Sequence, residues 1–343
     1  MNLGRVHIGL VLVGAVASAL TLQALSDPIA DFYRGKNVMF VIGSGEAGTY
    51  DLGGRLIARH LARHIPGNPT LVPQNMPGAS SVRAASYLYG VAPRDGSAFG
   101  TAQPTIVLNK LLDPAAKYAP EKYTWIGRVQ PMTLVGIAWN AAPDRTMADA
   151  KSRKLIVGAS GASGTSAIVP WALNRLIGTH FQVVTGYASA MPQLLAMERG
   201  ELEGVGSESL NDILARADWL KNDKVNFLYT IASRRSAKLP DTPAIVEFAE
   251  NDLDRAVLRL LGSVTDIGLT IMAPPDLPAD RAASLRWAFL DMVKDPDFLA
   301  EAEKLGLEPE PLSGEDLQKL VADTLGATGE AVQKLRDVTR PPP

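Results

Sequence analysis

Residues 43–48 read GSGEAG, a G-x-G-x-x-G set between the apolar run at 38–42 and a helical pattern that begins near Asp51. Strand, glycine turn and helix in that order make an anion site, because the glycines let backbone N–H groups come close and the helix N-terminus adds partial positive charge. The same design recurs in NMPGASS at 75–81, after a short strand at Leu71 and Val72, and in GASGASGTS at 158–166, after Leu155, Ile156 and Val157. A single turn of this kind is ordinary loop composition, since Gly and Ser are common loop formers and Asp51 suits a helix start. Three of them, with helix N-termini converging on one anion, would form a site. Each dipole contributes roughly 0.3–1 kcal/mol and each hydrogen bond to a charged group about 1.5–3 kcal/mol. Micromolar binding requires about 8 kcal/mol, so no arginine clamp is needed.

Two other chemistries compete for these residues. A dinucleotide fold needs an acidic residue about 20 positions beyond the glycines to hold the ribose hydroxyls. Here that strand ends in Pro73, Gln74 and Asn75. An exported serine-dependent hydrolase would use the serines at 158–166, yet the chain has no G-x-S-x-G elbow and, past the leader, only His60, His64 and His180 as bases. His60 and His64 lie four apart on one helix face, but HLARH lacks the glutamate of H-E-x-x-H and no third ligand is evident. They read as surface side chains near a helix C-terminus, where positive charge is mildly stabilising. No metal, no cofactor and no catalytic residue is expected. The absence of cysteine excludes disulfides, a thiol nucleophile and a lipid anchor on an N-terminal cysteine.

The elements that must position the turns follow an α/β pattern, short apolar runs alternating with amphipathic stretches. After the first turn Leu52, Leu56, Ile57, Leu61 and Ile65 share helical spacing, and Pro66, Gly67 and Pro69 stop that helix. Val82, Ala85, Leu88 and Tyr89 follow the second turn; Ile168, Trp171, Ala172 and Ile177 follow the third. The runs at 133–139 and 267–272 are candidate crossings between two lobes, one of 28–132 plus 265–343 and one of 133–264. Pro278, the Asp295-Pro296 pair and Ser313 start three helices near the C-terminus, the last with a capping-box pattern, and Gly306 ends the second. With 343 residues, 46% hydrophobic, and a formal net charge of -2, the chain is globular and offers no electrostatic case for nucleic acid. Arg5, the apolar stretch at 8–20 and small residues up to Ala24 read as an export signal over residues 1–24. A bacterial periplasm fits that leader, and no later segment reaches the roughly 18 apolar residues of a membrane span.

The segments at 43–69, 74–101, 158–170, 185–204 and 273–289 resemble, in order, those of the extracytoplasmic solute receptors of tripartite tricarboxylate transporters, also called Bug receptors. The resemblance implies a two-lobed α/β periplasmic binding protein of type II-like form, each lobe a mixed sheet flanked by helices. It also implies a monomer that closes over a small carboxylate and delivers it to large and small membrane subunits. Carried over residue by residue, it places Ser44, Ala47, Gly48 and Asp51 in one wall of the site, with Asp51 as organiser of its turn. Gly78, Ala79 and Ser80 come from the second turn; Ser160, Ser163, Gly164, Thr165 and Ser166 from the third; Tyr187 from the TGY segment. Glu46 departs from the glycine or alanine of many relatives, and a desolvated carboxylate would repel an anion. Either Glu46 faces solvent, or the ligand carries a donor or positive group, as an amino acid does. The GSES segment at 206–209 is a pattern with no assignment.

Overall fold

The computed structural model describes residues 27–142, 145–187 and 189–342, so the leader read at 1–24 lies outside the described residues. The chain folds around two mixed sheets. The first holds β1 (Asn37–Ile42), β2 (Thr70–Asn75), β3 (Ala98–Thr101) and β4 (Thr124–Gln130). The second holds β5 (Leu134–Trp139), β6 (Lys154–Ala159), β7 (His180–Thr185), β8 (Gly204–Ser209) and β9 (Val225–Thr230); the chain then returns to the first sheet for β10 (Leu269–Ala273) and β11 (Leu312–Ser313). The strand orders are β11-β4-β10-β3-β1-β2 and β7-β6-β8-β5-β9. β1 pairs in parallel with β2 and β3, and β6 with β7 and β8, while β10 and β5 run antiparallel to their neighbours.

Helices cover both sheets. They are α1 (Pro28–Tyr33), α2 (Thr49–His64), α3 (Val82–Gly90), α4 (Thr105–Leu112), α5 (Met147–Ser152), α6 (Thr165–Ile177) and α7 (Ala190–Glu198). The remainder are α8 (Leu210–Leu214), α9 (Ala217–Lys221), α10 (Asp252–Ile267), α11 (Ala279–Met292), α12 (Pro296–Lys304), α13 (Gly314–Leu325) and α14 (Gly329–Thr339). Central parallel strands are covered on both faces, which is why Val38, Phe40, Val41 and Ile42 of β1 are all fully buried. α2 begins after the first turn as its spacing predicts, and Leu56, Ile57 and Leu61 are buried. Leu52 corrects that reading: it is 40% exposed, on the outer side of the first helical turn.

The chain crosses between the sheets twice, from β4 to β5 and from α10 to β10. The crossings lie side by side: Leu269 pairs with Gln130, and the Met132 N–H donates to the Thr265 carbonyl at 2.9 Å. α14, which the sequence reading did not foresee, makes a third tie. Arg175 of α6 donates to the Val338 carbonyl, while Arg336 of α14 donates to the Leu111 carbonyl of α4. The three C-terminal helix starts behave as read, with Asp295 and Ser313 accepting from the N–H groups of Asp297 and Asp316.

His60 and His64 are not free surface side chains. His60 is 5% exposed and its Nε2 lies 2.7 Å from Glu301 of α12, while His64 meets Asp291 and Asp295 at 2.6 and 3.1 Å. Together with the Arg59–Glu301 pair they fasten α2 to α11 and α12. Hydrogen bonds from His60 and from backbone Asp297 hold Glu301 and Asp295, respectively, below the usual carboxylate range. Among the described residues no group of three or more side chains is arranged to hold a metal ion.

Candidate functional site

Each of the three turns sits at the carboxyl end of a parallel strand, β1, β2 or β6, the end at which open α/β sheets take ligands. Together they line a cleft of about 390 Å³ between the two sheets, within the range of small-molecule sites. α2, α3 and α6 all start there without a side-chain cap, behind Gly48, Ser81 and Gly164. First-turn N–H groups of a helix have no intrahelical partner; at α3 the Val82 and Arg83 N–H groups turn back to the Ala79 and Gly78 carbonyls, and the start of α6 is left to supply donors to the site.

The turns are packed against one another. A Cβ on Gly43 would stand 2.7 Å from Ser81 Oγ and 3.2 Å from the Ala102 Cα. Ser81 is fixed in that place, donating to the Gly43 carbonyl at 2.6 Å and accepting from the Gln103 N–H at 2.9 Å. The first glycine of the fingerprint is therefore required by the second turn, not by a pyrophosphate. Ala79, Ser80 and Ser81 all have left-handed backbone, with φ of 46°, 51° and 70°, a strained run of the sort found where ligands are held. Across the cleft, a Cβ on Gly164 would stand 2.7 Å from Ser80 Oγ. The second and third turns approach as closely as glycine allows.

Asp51 organises the first turn. It accepts from the Ala47 N–H at 3.0 Å, Arg55 Nε at 2.9 Å and Asn75 Nδ2 at 2.8 Å, and Asn75 also donates to the Ser44 carbonyl. Burial works to raise its pKa, but hydrogen bonds from Asn75, Ala47 and Arg55 outweigh burial and hold it below the usual carboxylate range. Asn75 occupies the end of β2, where a dinucleotide fold would carry its ribose-binding acid, and it braces the turn instead.

The opposite wall contains what the sequence reading missed. Glu208, at the end of β8 in GSES, and Asp212 of α8 both line the cleft. Burial pushes both carboxyls up; for Glu208 the charge of Asp212 adds to it, and the two share a hydrogen bond. Two carboxyls placed side by side disfavour joint ionisation. Thr49, at the start of α2, donates to Asp212 through its hydroxyl at 2.7 Å and through its backbone N–H, and its hydroxyl lies 3.2 Å from Ser209 Oγ. Asp212 thus caps α2 from across the cleft. A second link joins Ser163 Oγ to the Ala79 carbonyl at 3.2 Å.

Of the anticipated residues, Ser44, Gly48, Gly78, Ala79, Ser80, Ser160, Gly164, Thr165, Ser166 and Tyr187 line the cleft. Ala47, Asp51 and Ser163 do not: Ala47 and Asp51 are engaged with each other behind the turn, and Ser163 makes the interlobe link. Glu46 is exposed and stands outside the lining. Thr49, Gln103, Gln193, Ser207, Glu208 and Asp212 are additions. Thr49 and Gln193 lie inside the segments that carry the resemblance and Ser207 and Glu208 in the unassigned GSES segment, while nothing in the sequence singled out Gln103 or Asp212. Among the described residues no Lys, Arg or His lines the cleft.

Two sheets joined by paired crossings, with a cleft between them at strand carboxyl ends, define a two-lobed periplasmic binding protein, each lobe a mixed sheet flanked by helices. Residues 55–336 match the model of the tripartite tricarboxylate transporter family receptor, and the chain belongs to that family. A Cupriavidus necator protein, UPF0065 protein in gbd 5'region, is 24% identical over 334 residues, covering 94% of this chain and 95% of its own. An R. palustris protein solved with adipate shares 22% identity with a TM-score of 0.67, covering 88% of this chain and 97% of its own. MatC from Rhodopseudomonas palustris with bound malate shares 20% identity, also at TM-score 0.67, covering 89% and 99%.

Proposed function

We propose that this chain is the extracytoplasmic receptor of a tripartite tricarboxylate-type transporter, capturing a small carboxylate between its lobes and presenting it to the large and small membrane subunits. The observation that carries this reading is the cleft itself: the three glycine turns, the open start of α6 and a set of hydroxyls from both lobes converge on one small cavity. Backbone and hydroxyl donors suffice to hold a carboxylate at micromolar affinity by the magnitudes above. The adipate and malate bound in two proteins of the same fold support the ligand class.

The lobes comprise 28–132 plus 265–343 and 133–264, a division supported by which strands enter each sheet, although α14 lies across both. Closure about the paired crossings brings Thr49 to Asp212 and Ser163 to Ala79, so affinity depends on contacts from both sides at once. The protein acts as a monomer in the periplasm and catalyses nothing. Supporting this, His180 is at the opposite end of β7 from the residue paired with Ala159, and His60 and His64 are bound to α11 and α12, leaving the third-turn serines without a histidine base. Among the described residues no helix is long and apolar enough to cross a membrane.

A thermal-shift screen of mono-, di- and tricarboxylates, amino acids and nucleotides against the chain without residues 1–24 tests the reading. A carboxylate-bearing compound is expected to raise the melting temperature in a saturable manner. A rise with a nucleotide and with no carboxylate would overturn it.

A further inference from the structure

Several features of the cleft wall narrow the ligand. Glu208 is 6% exposed, lines the cavity, accepts from the Ser209 N–H at 2.8 Å and is bonded to Asp212. The groups facing this pair are Thr49 and Tyr50 of α2 and Arg216 beyond α8. Tyr50 is neutral, its hydroxyl pushed up by burial and by Asp212. Arg216 attracts both carboxylates but lies outside the lining, stacked 4.6 Å over Trp219 and beside Met191 Sδ. The pair makes this wall acidic, facing a cavity that no Lys, Arg or His lines among the described residues. Across from it Ser80, 8% exposed, keeps its Oγ without a hydrogen-bond partner beside Gly164. That unpartnered hydroxyl, with the open start of α6, defines the carboxylate end of the site. The start of α2 is already occupied by Asp212.

We infer that the ligand is an amino carboxylate, its carboxylate held by the second and third turns and its ammonium group by Glu208 in the Glu208–Asp212 pair. This rests on the receptor reading above. A diacid would bring two negative charges against an acidic wall in a cleft that no Lys, Arg or His lines among the described residues. An ammonium supplies three donors and the missing charge.

The test is calorimetric titration of the chain near neutral pH with chain-matched probes: 4-aminobutanoate against succinate, 6-aminohexanoate against adipate, and the common α-amino acids. The preferred ligand is expected to carry an ammonium and to bind at least about tenfold more tightly than any diacid, a difference of about 1.4 kcal/mol. Glu208→Gln should lower that affinity by about tenfold or more while leaving diacid binding equal or stronger. The preference should shrink as pH falls and the pair becomes protonated. Tighter binding of a diacid by the wild-type chain, or a preference unmoved by both Glu208→Gln and acid, would overturn the assignment. Should Glu208→Gln fail to fold, Asp212→Asn replaces it, and the wild-type ratio decides independently of either. Binding of diacids alone removes this inference and leaves the receptor reading standing; binding of no carboxylate of either kind removes both.

Discussion

Asp51 and Glu208 are both buried carboxylates, Asp51 behind the first turn and Glu208 in the opposite wall of the cleft, and their pKa values are driven in opposite directions. Burial opposes ionisation at both. Asp51 accepts from Asn75, the Ala47 N–H and Arg55, and stays ionised. Glu208 has one backbone donor and a second carboxyl as neighbour, and it is pushed up. The number of donors, rather than depth, decides which carboxylate becomes part of the frame and which remains available to a ligand. The saturated group shapes the turn; the unsaturated one faces the cavity.

The contrast yields graded predictions. Gly43→Ala should be the most damaging to the frame, because the new Cβ meets Ser81 Oγ and the Ala102 backbone. A loss of about 3 kcal/mol in chemical denaturation is expected, and wild-type stability would break the claim that the turns are locked together. Asp51→Asn should cost about 2 kcal/mol at neutral pH, the scale of hydrogen bonds to a charged group. Because the folded pKa of Asp51 lies below its unfolded value, its contribution is present above the ordinary carboxylate range and lost as pH falls through the folded value. The destabilisation should therefore fade in acid.

Glu208→Gln should act with the opposite sign. The folded pKa of Glu208 is raised, so its favourable contribution is complete below the unfolded value and lost as pH rises through the folded one. Removing the titration should raise the melting temperature of the ligand-free protein by about 2–4 °C near pH 8 and leave it unchanged near pH 4. Equal signs for the two variants would dissolve the comparison. Thr49→Val, which deletes the hydroxyl bonded to Asp212 and Ser209, should have the smallest effect, about 1 kcal/mol. Small-angle scattering should show it shifted toward a more open form.

The glycine turns were legible in the sequence because strand, turn and helix are adjacent along the chain, and Gly, Ser and an apolar run each have local meaning. The sequence also argued against a dinucleotide there, since Asn75 stands where a nucleotide fold would place an acid. The acidic pair was not. β8 reads GVGSES and has neither alternation nor an apolar run; it is buried because β6 and β5 flank it, and Glu208 reaches the cleft only through that pairing. Glu46 drew attention through its proximity in sequence to the first turn, yet the exposed turn carries it outward. α14 does carry spaced apolar residues, with Val332, Leu335 and Val338 buried, but its partners α6 and α10 are remote in the sequence.

The central claim is that one small carboxylate is held by both walls at once. Gly164→Val examines it directly, because the substitution fills the space facing Ser80 Oγ in the third turn while leaving the first and second turns in sequence intact. Calorimetric titration with the tightest carboxylate from the screen should give saturable one-to-one binding to the wild-type chain and at least about a hundredfold weaker binding to the variant, about 2.7 kcal/mol. Unchanged affinity in a folded Gly164→Val protein would contradict the account.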